Sequence, residues 1–283
     1  MTRAINYYCR LFYKLTSPFY KLAVNKRLDA LQNGYIVSLT TFPPRINKVW
    51  ITIESIIHQS KKPDAIILWL SNEEFSDSSV LPKKLLKLQK RGLEIRFCSG
   101  NLMPHKKYFY AMQEYPKANI ITIDDDMIYP PNLLHMLIKT HLQYPLAICC
   151  SITREITIIN KHIAPYNEWK YVRHNTLPSF KYLTIGVGGT LFPANSLNKQ
   201  AFNQEEIQKR AIRADDLWLK VMSLLNQTPV ISISGEFSRF FPPIIIRDNK
   251  RLMDENIGQG KNDLIFNELM KHYHISYSVL ESQ

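Results

Sequence analysis

Three consecutive aspartates, Asp124-Asp125-Asp126, follow the apolar run Ala118-Asn-Ile-Ile-Thr-Ile123. Carboxylates delivered by the end of a buried strand stand where ligand contacts gather, and their hard oxygens suit Mg²⁺ or Mn²⁺. Continued strand alternation would send Asp124 and Asp126 to one side, which makes those two the candidate metal ligands. Such an ion keeps coordination sites for water and phosphate oxygens. Without a cation, crowded negative charge costs Coulomb energy and raises some carboxyl pKa values. The plain alternative is a solvated acidic turn ahead of a helix starting near residue 131.

Other groups could take part in the same chemistry. Arg45 lies on a loop after an apolar strand, where its planar fork can pair a phosphate or simply be solvated. Lys106 and Lys107 begin a helix; a lysine there could offset diphosphate charge, and one of the two is expected to face water. His105 caps that helix or orients a lysine. Asp215 and Asp216 open another helix, where acids favour the dipole and either could be the cap. Gly186, Gly188 and Gly189 permit close backbone approach to a ligand, or form a glycine-bearing strand or tight bend. Between residues 160 and 181 stand His162, Tyr166, Trp169, Lys170, Tyr171, Arg173 and His174. Their aromatic faces can stack on sugar rings, or they pin a loop as buried aromatics. His272 and His274 read as surface residues.

The elements that must position these groups alternate. Strand-like runs occur at 34–41, 65–70, 94–98, 118–123 and 146–152, and helix-like segments at 46–57, 81–91, 104–115 and 131–144. Continuous apolar strands between helices imply a mostly parallel sheet covered on both faces. Ligands then bind beyond the C-terminal strand ends. Neither a Gly-x-Gly-x-x-Gly nor a phosphate-loop motif is present, so a nucleotide must be held another way. After Ile152 the pattern loosens; further on, a helix through Leu225, a strand over 228–234, a turn at 240–243 and a helix over 263–273 are expected.

Composition bounds the rest. With 283 residues, 45% of them hydrophobic, the chain has the means for a packed core and is not a disordered polypeptide. Its net charge of +12 favours polyanionic partners, and no nucleic-acid-binding motif accompanies it. Cys9, Cys98, Cys149 and Cys150 show no metal-ligand spacing and read as reduced, mostly buried thiols. Residues 1–33 differ from the remainder. Ile5, Tyr8, Phe12, Leu15, Phe19 and Leu22 form an amphipathic stripe, off which fall Arg3, Arg10, Lys14 and Lys21, with a break expected at Ser17-Pro18. This face suits either an anionic membrane surface or packing on the main domain or another subunit. No apolar run spans a bilayer and no secretory signal is recognised, so a cytoplasmic protein is expected, with peripheral contact on the inner face of the plasma membrane.

Taken in order, Ile36-Val-Ser-Leu-Thr-Thr-Phe-Pro-Pro-Arg-Ile46, Leu102-Met-Pro-His-Lys-Lys-Tyr108 and Asp124-Asp125-Asp126 resemble the GT-A class of nucleotide-sugar-dependent glycosyltransferases. The likeness is to small bacterial enzymes related to family 2 that build surface polysaccharides such as capsule and O-antigen, and it covers about residues 34–270. It implies a GT-A-like (Rossmann-like) α/β fold with an N-terminal amphipathic arm over 1–33. The catalytic domain is expected over 34–283, with a nucleotide-binding half at 34–152 and an acceptor-binding half at 153–283. The aspartates become the Asp-x-Asp motif, Asp124 and Asp125 touching the donor and Asp124 and Asp126 the Mn²⁺ or Mg²⁺. Thr40, Thr41 and Arg45 fall near the nucleotide, Asn72 with its neighbours Ser71 and Glu73 near the base, and Lys106 and Lys107 near the diphosphate. Gly188 and Gly189 lie beneath the sugar pocket. Asp215-Asp216 matches the Glu-Asp pair of inverting enzymes, with Asp216 the base and Asp215 its support. From the sequence itself, residues 256–262, with Gly258 and Gly260, are expected to form a mobile lid over the donor. The implied reaction moves a sugar, UDP-linked by resemblance, to a glycan or lipid-linked acceptor. A metal-dependent nucleotidyltransferase and a non-catalytic membrane- or glycan-binding protein with an inactive GT-A fold are the alternatives.

Overall fold

Long aliphatic runs leave little freedom for the first half of the chain. A computed structural model describes residues 2–16, 33–237, 241–245 and 260–281, which divide into two compact units. The first unit holds the described residues of Met1–Asn101, Lys106–Met136 and Arg239–Asn249. Its elements are α1 (Thr2–Thr16), β1 (Tyr35–Thr40), α2 (Val49–Ile57), β2 (Ala65–Ser71), α3 (Lys83–Gln89), β3 (Leu93–Cys98), α4 (Lys106–Glu114) and β4 (Asn119–Thr122).

The four strands lie in the order β4-β1-β2-β3, every pair parallel. Ile36 stands opposite both Ala65 and Ile120, and on that face Ile67 and Trp69 pack with Ala111 of α4 and with Tyr115 just beyond its end. All seven residues of β2 are buried, as a strand covered on both sides requires. One polar residue sits inside this layer with its hydrogen bonds made. Trp69 Nε1 donates to Ser38 Oγ at 3.0 Å, and Ser38 Oγ donates to the Lys107 carbonyl at 2.5 Å. Ser38 thereby fixes the start of α4 against β1.

Several boundaries move inward. Residues 43–48 form turns, so α2 begins only at Val49, and Pro82 stands just outside α3. Met103–His105 is a 3₁₀ turn ahead of α4. The consequential shift is at β4, which ends at Thr122. Asp124–Asp126 therefore lie beyond the pleat, and strand alternation does not govern their directions.

α1 forms as its periodicity predicts, with a different side docked. Asn6 and Tyr13 are buried, whereas Tyr8, Phe12 and Leu15 of the expected stripe are exposed. Of these three, Phe12 still meets the main domain, its ring lying 5.6 Å from that of His58. The Ser17-Pro18 break, Phe19, Lys21 and Leu22 lie outside the described residues, as do Phe240 and residues 256–259 of the expected lid.

The second unit holds the described residues of Leu102–His105, Leu137–Ser238 and Lys250–Gln283. α5 (Leu133–Gln143) leads to β5 (Ile148–Cys150), β6 (Thr153–Glu155), β7 (Ile158–Ile159), β8 (His162–Ile163), β9 (Lys170–Tyr171), β10 (Tyr182–Thr184) and β11 (Thr190–Phe192). α6 (Asp215–Leu225), β12 (Val230–Ser232) and α7 (Lys261–His272) follow. β5 pairs β12 in parallel and β11 antiparallel. β10, β6 and β9 make a small antiparallel sheet, and β7 with β8 a hairpin. The loosened pattern after Ile152 is thus a set of strands two or three residues long, too short to display a period. All four cysteines are free, and Cys98, Cys149 and Cys150 are buried.

Lys220 of α6 is buried without an ion-pair partner among the described residues, and its Nζ donates to the Phe180 carbonyl at 2.5 Å. Burial brings its pKa down to about 7. Between pH 7 and 10 the unfolded lysine then binds a proton that the folded one does not, so this group makes stability rise with pH. Below the folded pKa both states are protonated and the contribution is level. Lys220→Met should therefore raise the melting temperature at pH 7 and flatten the wild-type rise towards pH 10. The span is on the order of 4 kcal/mol. Parallel melting curves for the two proteins would disprove the neutral buried amine.

Candidate functional site

The acidic turn is held by its backbone before its side chains act. Thr52 Oγ1 of α2 lies 2.9 Å from the Asp125 carbonyl and 2.8 Å from that of Met127. The Asp124 amide donates to Tyr129 Oη at 2.9 Å. On the far side, the Ile244 amide donates to the Asp126 carbonyl at 2.6 Å and the Ile128 amide to the Pro242 carbonyl at 3.0 Å. Thr52 and Tyr129 were not foreseen. Thr52 leaves one faint trace, a hydroxyl with Ser55 one turn on in an otherwise largely apolar helix; Tyr129 leaves none.

Each aspartate then meets a different partner. Asp125 is buried and accepts from Thr41 Oγ1 and Arg45 Nη1, both at 2.5 Å. Arg45 Nη2 reaches Asp126 Oδ2 at 3.0 Å, and its guanidinium lies over the Phe42 ring. Lys107 Nζ pairs with Asp124 Oδ1 at 2.7 Å. Side-chain exposure separates their roles: 31% for Asp124 and 25% for Asp126, against 7% for Asp125. Asp125 anchors the turn, and the outer two carboxylates, though ion-paired, are the more exposed. Burial pushes the Asp126 carboxyl up to about 6 against the pull of Arg45, and pushes Asp125 upward too.

Three carboxylates face one guanidinium and one ammonium, so with all groups ionised the cluster carries one uncompensated negative charge. Among the described residues, no group of three or more His, Cys, Asp and Glu side chains is arranged to hold a metal ion. That excludes a closed cage built from those residues alone. It fits an ion such as Mg²⁺ or Mn²⁺ that takes two carboxylate oxygens and fills its remaining positions with water and phosphate. His272 Nε2 lies 3.2 Å from Glu206 Oε2.

Other expected donor-site residues have different surroundings. Lys106 and Lys107 are both buried, so neither faces water. Ion pairing permits this: Lys106 Nζ meets Glu74 and Asn101, each at 2.9 Å, while only Lys107 joins the acidic turn. His105 is fully buried and its Nε2 contacts the Ala211 carbonyl at 2.8 Å. Thr40 Oγ1 donates to the Trp69 carbonyl at 2.9 Å and so serves the sheet. Asn72 is exposed after β2, its amide donating to the Cys98 carbonyl.

In the second unit, Asp216 belongs to a glycine turn. The helix cap of α6 is Ala214, without a side-chain bond, so neither aspartate caps. Instead Asp216 Oδ1 accepts from the Gly186 amide at 3.0 Å. A Cβ on Gly188 would lie 2.7 Å from Ile152 Cβ and N, and Gly189 has φ 82°. Packing accounts for the first glycine and backbone conformation for the second. In the aromatic run, Tyr166 and Trp169 are buried and hold the loop, the Tyr166 amide donating to Asp263 and the Trp169 ring packing edge-on to Phe266. Lys170, Arg173 and His174 are exposed, and Arg154 lies between the rings of Tyr166 and Tyr171, 4.7 and 4.3 Å from their centroids.

No protein-family model matches the sequence, and no curated protein matches it significantly. Similar solved structures include residues 1–349 of TarS from S. aureus, at 9% identity and TM-score 0.44; the match covers 75% of this chain and 59% of that one. The complex of TarS with UDP-GlcNAc gives 10% identity, TM-score 0.47 and coverages of 88% and 74%. The mannosyltransferase PcManGT from Pyrobaculum calidifontis, in complex with GDP-Man and Mn²⁺, gives 12%, 0.44, 84% and 68%. The chain thus spans less than two thirds of the TarS fragment in the first of these matches. At such low identity and TM-score, the site is read from its own residues.

Proposed function

We propose that this chain is a glycosyltransferase that moves a sugar from a nucleotide-diphosphate donor to a carbohydrate or lipid-linked acceptor in surface polysaccharide synthesis. The acidic turn carries the reading: two half-exposed carboxylates beyond the end of a parallel strand, a buried third that anchors them, and an unbalanced negative charge. Asp124 and Asp126 would hold Mn²⁺ or Mg²⁺, which when bound stabilises negative charge on the departing diphosphate. Arg45 and Lys107 orient the two carboxylates and offer cations to phosphate oxygens. Asp216, aimed by the Gly186 amide, would take the proton from the acceptor hydroxyl, consistent with inversion at the anomeric carbon. UDP is the first nucleotide to try.

The test is a thermal-shift screen of nucleotide sugars with and without Mn²⁺. A donor at one hundred times its Kd adds ~2.7 kcal/mol, roughly 5–10 °C in melting temperature for a chain of this size. Asp126→Ala should lose the Mn²⁺-dependent part. If no nucleotide sugar shifts the wild type under either condition, the donor assignment is wrong.

A further inference from the structure

α1 is docked through one side and presents another. Asn6, Cys9, Tyr13 and Thr16 recur at spacings of three, four and three, and this side meets the first unit. Asn6 Nδ2 donates to the Pro243 carbonyl at 2.9 Å while its Oδ1 accepts from the Ile245 amide at 3.2 Å. The Tyr13 ring lies 5.0 Å from that of His58, and Thr16 Oγ1 is 2.8 Å from His58 Nε2.

The opposite side carries Tyr7, Tyr8, Leu11 and Leu15, with relative exposures of 66%, 67%, 44% and 67%, and Phe12, 50% exposed, stands at its margin with its ring 5.6 Å from that of His58. These are five of the eleven exposed large hydrophobic residues among the described ones, gathered in nine consecutive positions. A concentration of this kind marks an interaction site, whereas single exposed apolar side chains do not.

Charge and length identify the partner. Residues 1–33 contain six Lys or Arg and a single Asp, so the segment is strongly basic. A second copy seated face to face would bring two basic segments together, which is repulsive. An anionic surface attracts them. At 1.5 Å per residue the 15 residues of α1 reach only ~22 Å, short of the ~30 Å hydrocarbon core. No described helix is long and apolar enough to cross a membrane. Tyrosine suits the headgroup boundary, Leu and Phe the acyl layer beneath it.

We propose that α1 docks the protein on an anionic lipid bilayer, lying in the interface plane with Leu11, Phe12 and Leu15 against the acyl chains and Tyr7 and Tyr8 at the headgroup boundary. This inference goes beyond the transferase reading and does not depend on it.

The test is cosedimentation of the full chain with phosphatidylcholine vesicles, with and without phosphatidylglycerol, beside its Leu11→Glu/Leu15→Glu variant. Both side chains are exposed, so the variant should keep the wild-type melting temperature; Leu177→Glu, equally exposed elsewhere, is the control. Wild type and control should pellet with the anionic vesicles and be released by salt, while the double variant loses at least about tenfold in partition. A wild type that stays in the supernatant, as it would if residues 17–32 covered the face, overturns the proposal. So do equal binding by the double variant, undiminished binding to phosphatidylcholine alone, and a change confined to self-association in analytical ultracentrifugation without lipid.

Discussion

Replacing Arg45 with methionine should cost about 3–5 kcal/mol of stability and lower the melting temperature by roughly 10 °C. The guanidinium is the counter-ion of Asp125, whose side chain is 7% exposed, and it also reaches Asp126. Methionine preserves much of the side-chain volume over Phe42 but strips the buried carboxyl of its charge partner. The penalty comes from that stranded group, so it should shrink when the group is neutralised. Arg45→Met/Asp125→Asn is expected to be more stable than the sum of the single losses predicts, and a thermal or urea double-mutant cycle reads the coupling. A single variant within about 1 kcal/mol of wild type would show that solvent, not Arg45, satisfies Asp125.

Asp216→Asn should reduce sugar transfer by about 10²–10⁴-fold, the usual worth of a positioned general base. Asparagine keeps an oxygen that can accept from the Gly186 amide, so the turn and the fold should survive. Donor-induced thermal shifts should match those of wild type, because the substitution leaves the acidic turn of the first unit untouched. Asp215→Asn, which alters the neighbouring carboxylate, should fall far less. Kinetics with the donor identified by the screen separate the outcomes. Wild-type turnover in Asp216→Asn would move the base elsewhere, whereas lost donor binding would point to a structural role for Asp216.

The parallel strands were legible because their signal is long: Ala65–Ser71 is seven residues without a break in burial. The acidic turn was legible as chemistry but not as geometry. Alternation holds only while the backbone is extended, and β4 stops at Thr122, two residues short of Asp124. Hence the middle aspartate, expected at the donor, is the one buried against Thr41 and Arg45. Lys106 and Lys107 are indistinguishable by type; about 100° of helix rotation between them sends one to Glu74 and the other to Asp124. The second half resisted reading for a different reason. Its strands are held by partners such as Leu183 opposite Arg154, distant in sequence and announced by no local pattern. On α1 the period was plain, yet the docked side is marked by Asn6 and its two backbone partners, a polar contact that a hydrophobic stripe conceals.

One feature of the acidic turn reaches into biosynthesis. The Asp126 carbonyl is satisfied by Ile244, which lies 118 residues further along the chain. On a ribosome the aspartates emerge long before the segment around Ile244 that locks them, so the nascent chain must leave this junction open until most of the polypeptide has been made. A gene fragment stopping just after the acidic turn would encode β1 to β4 and all three aspartates, yet lack Ile244, the clasp that closes them.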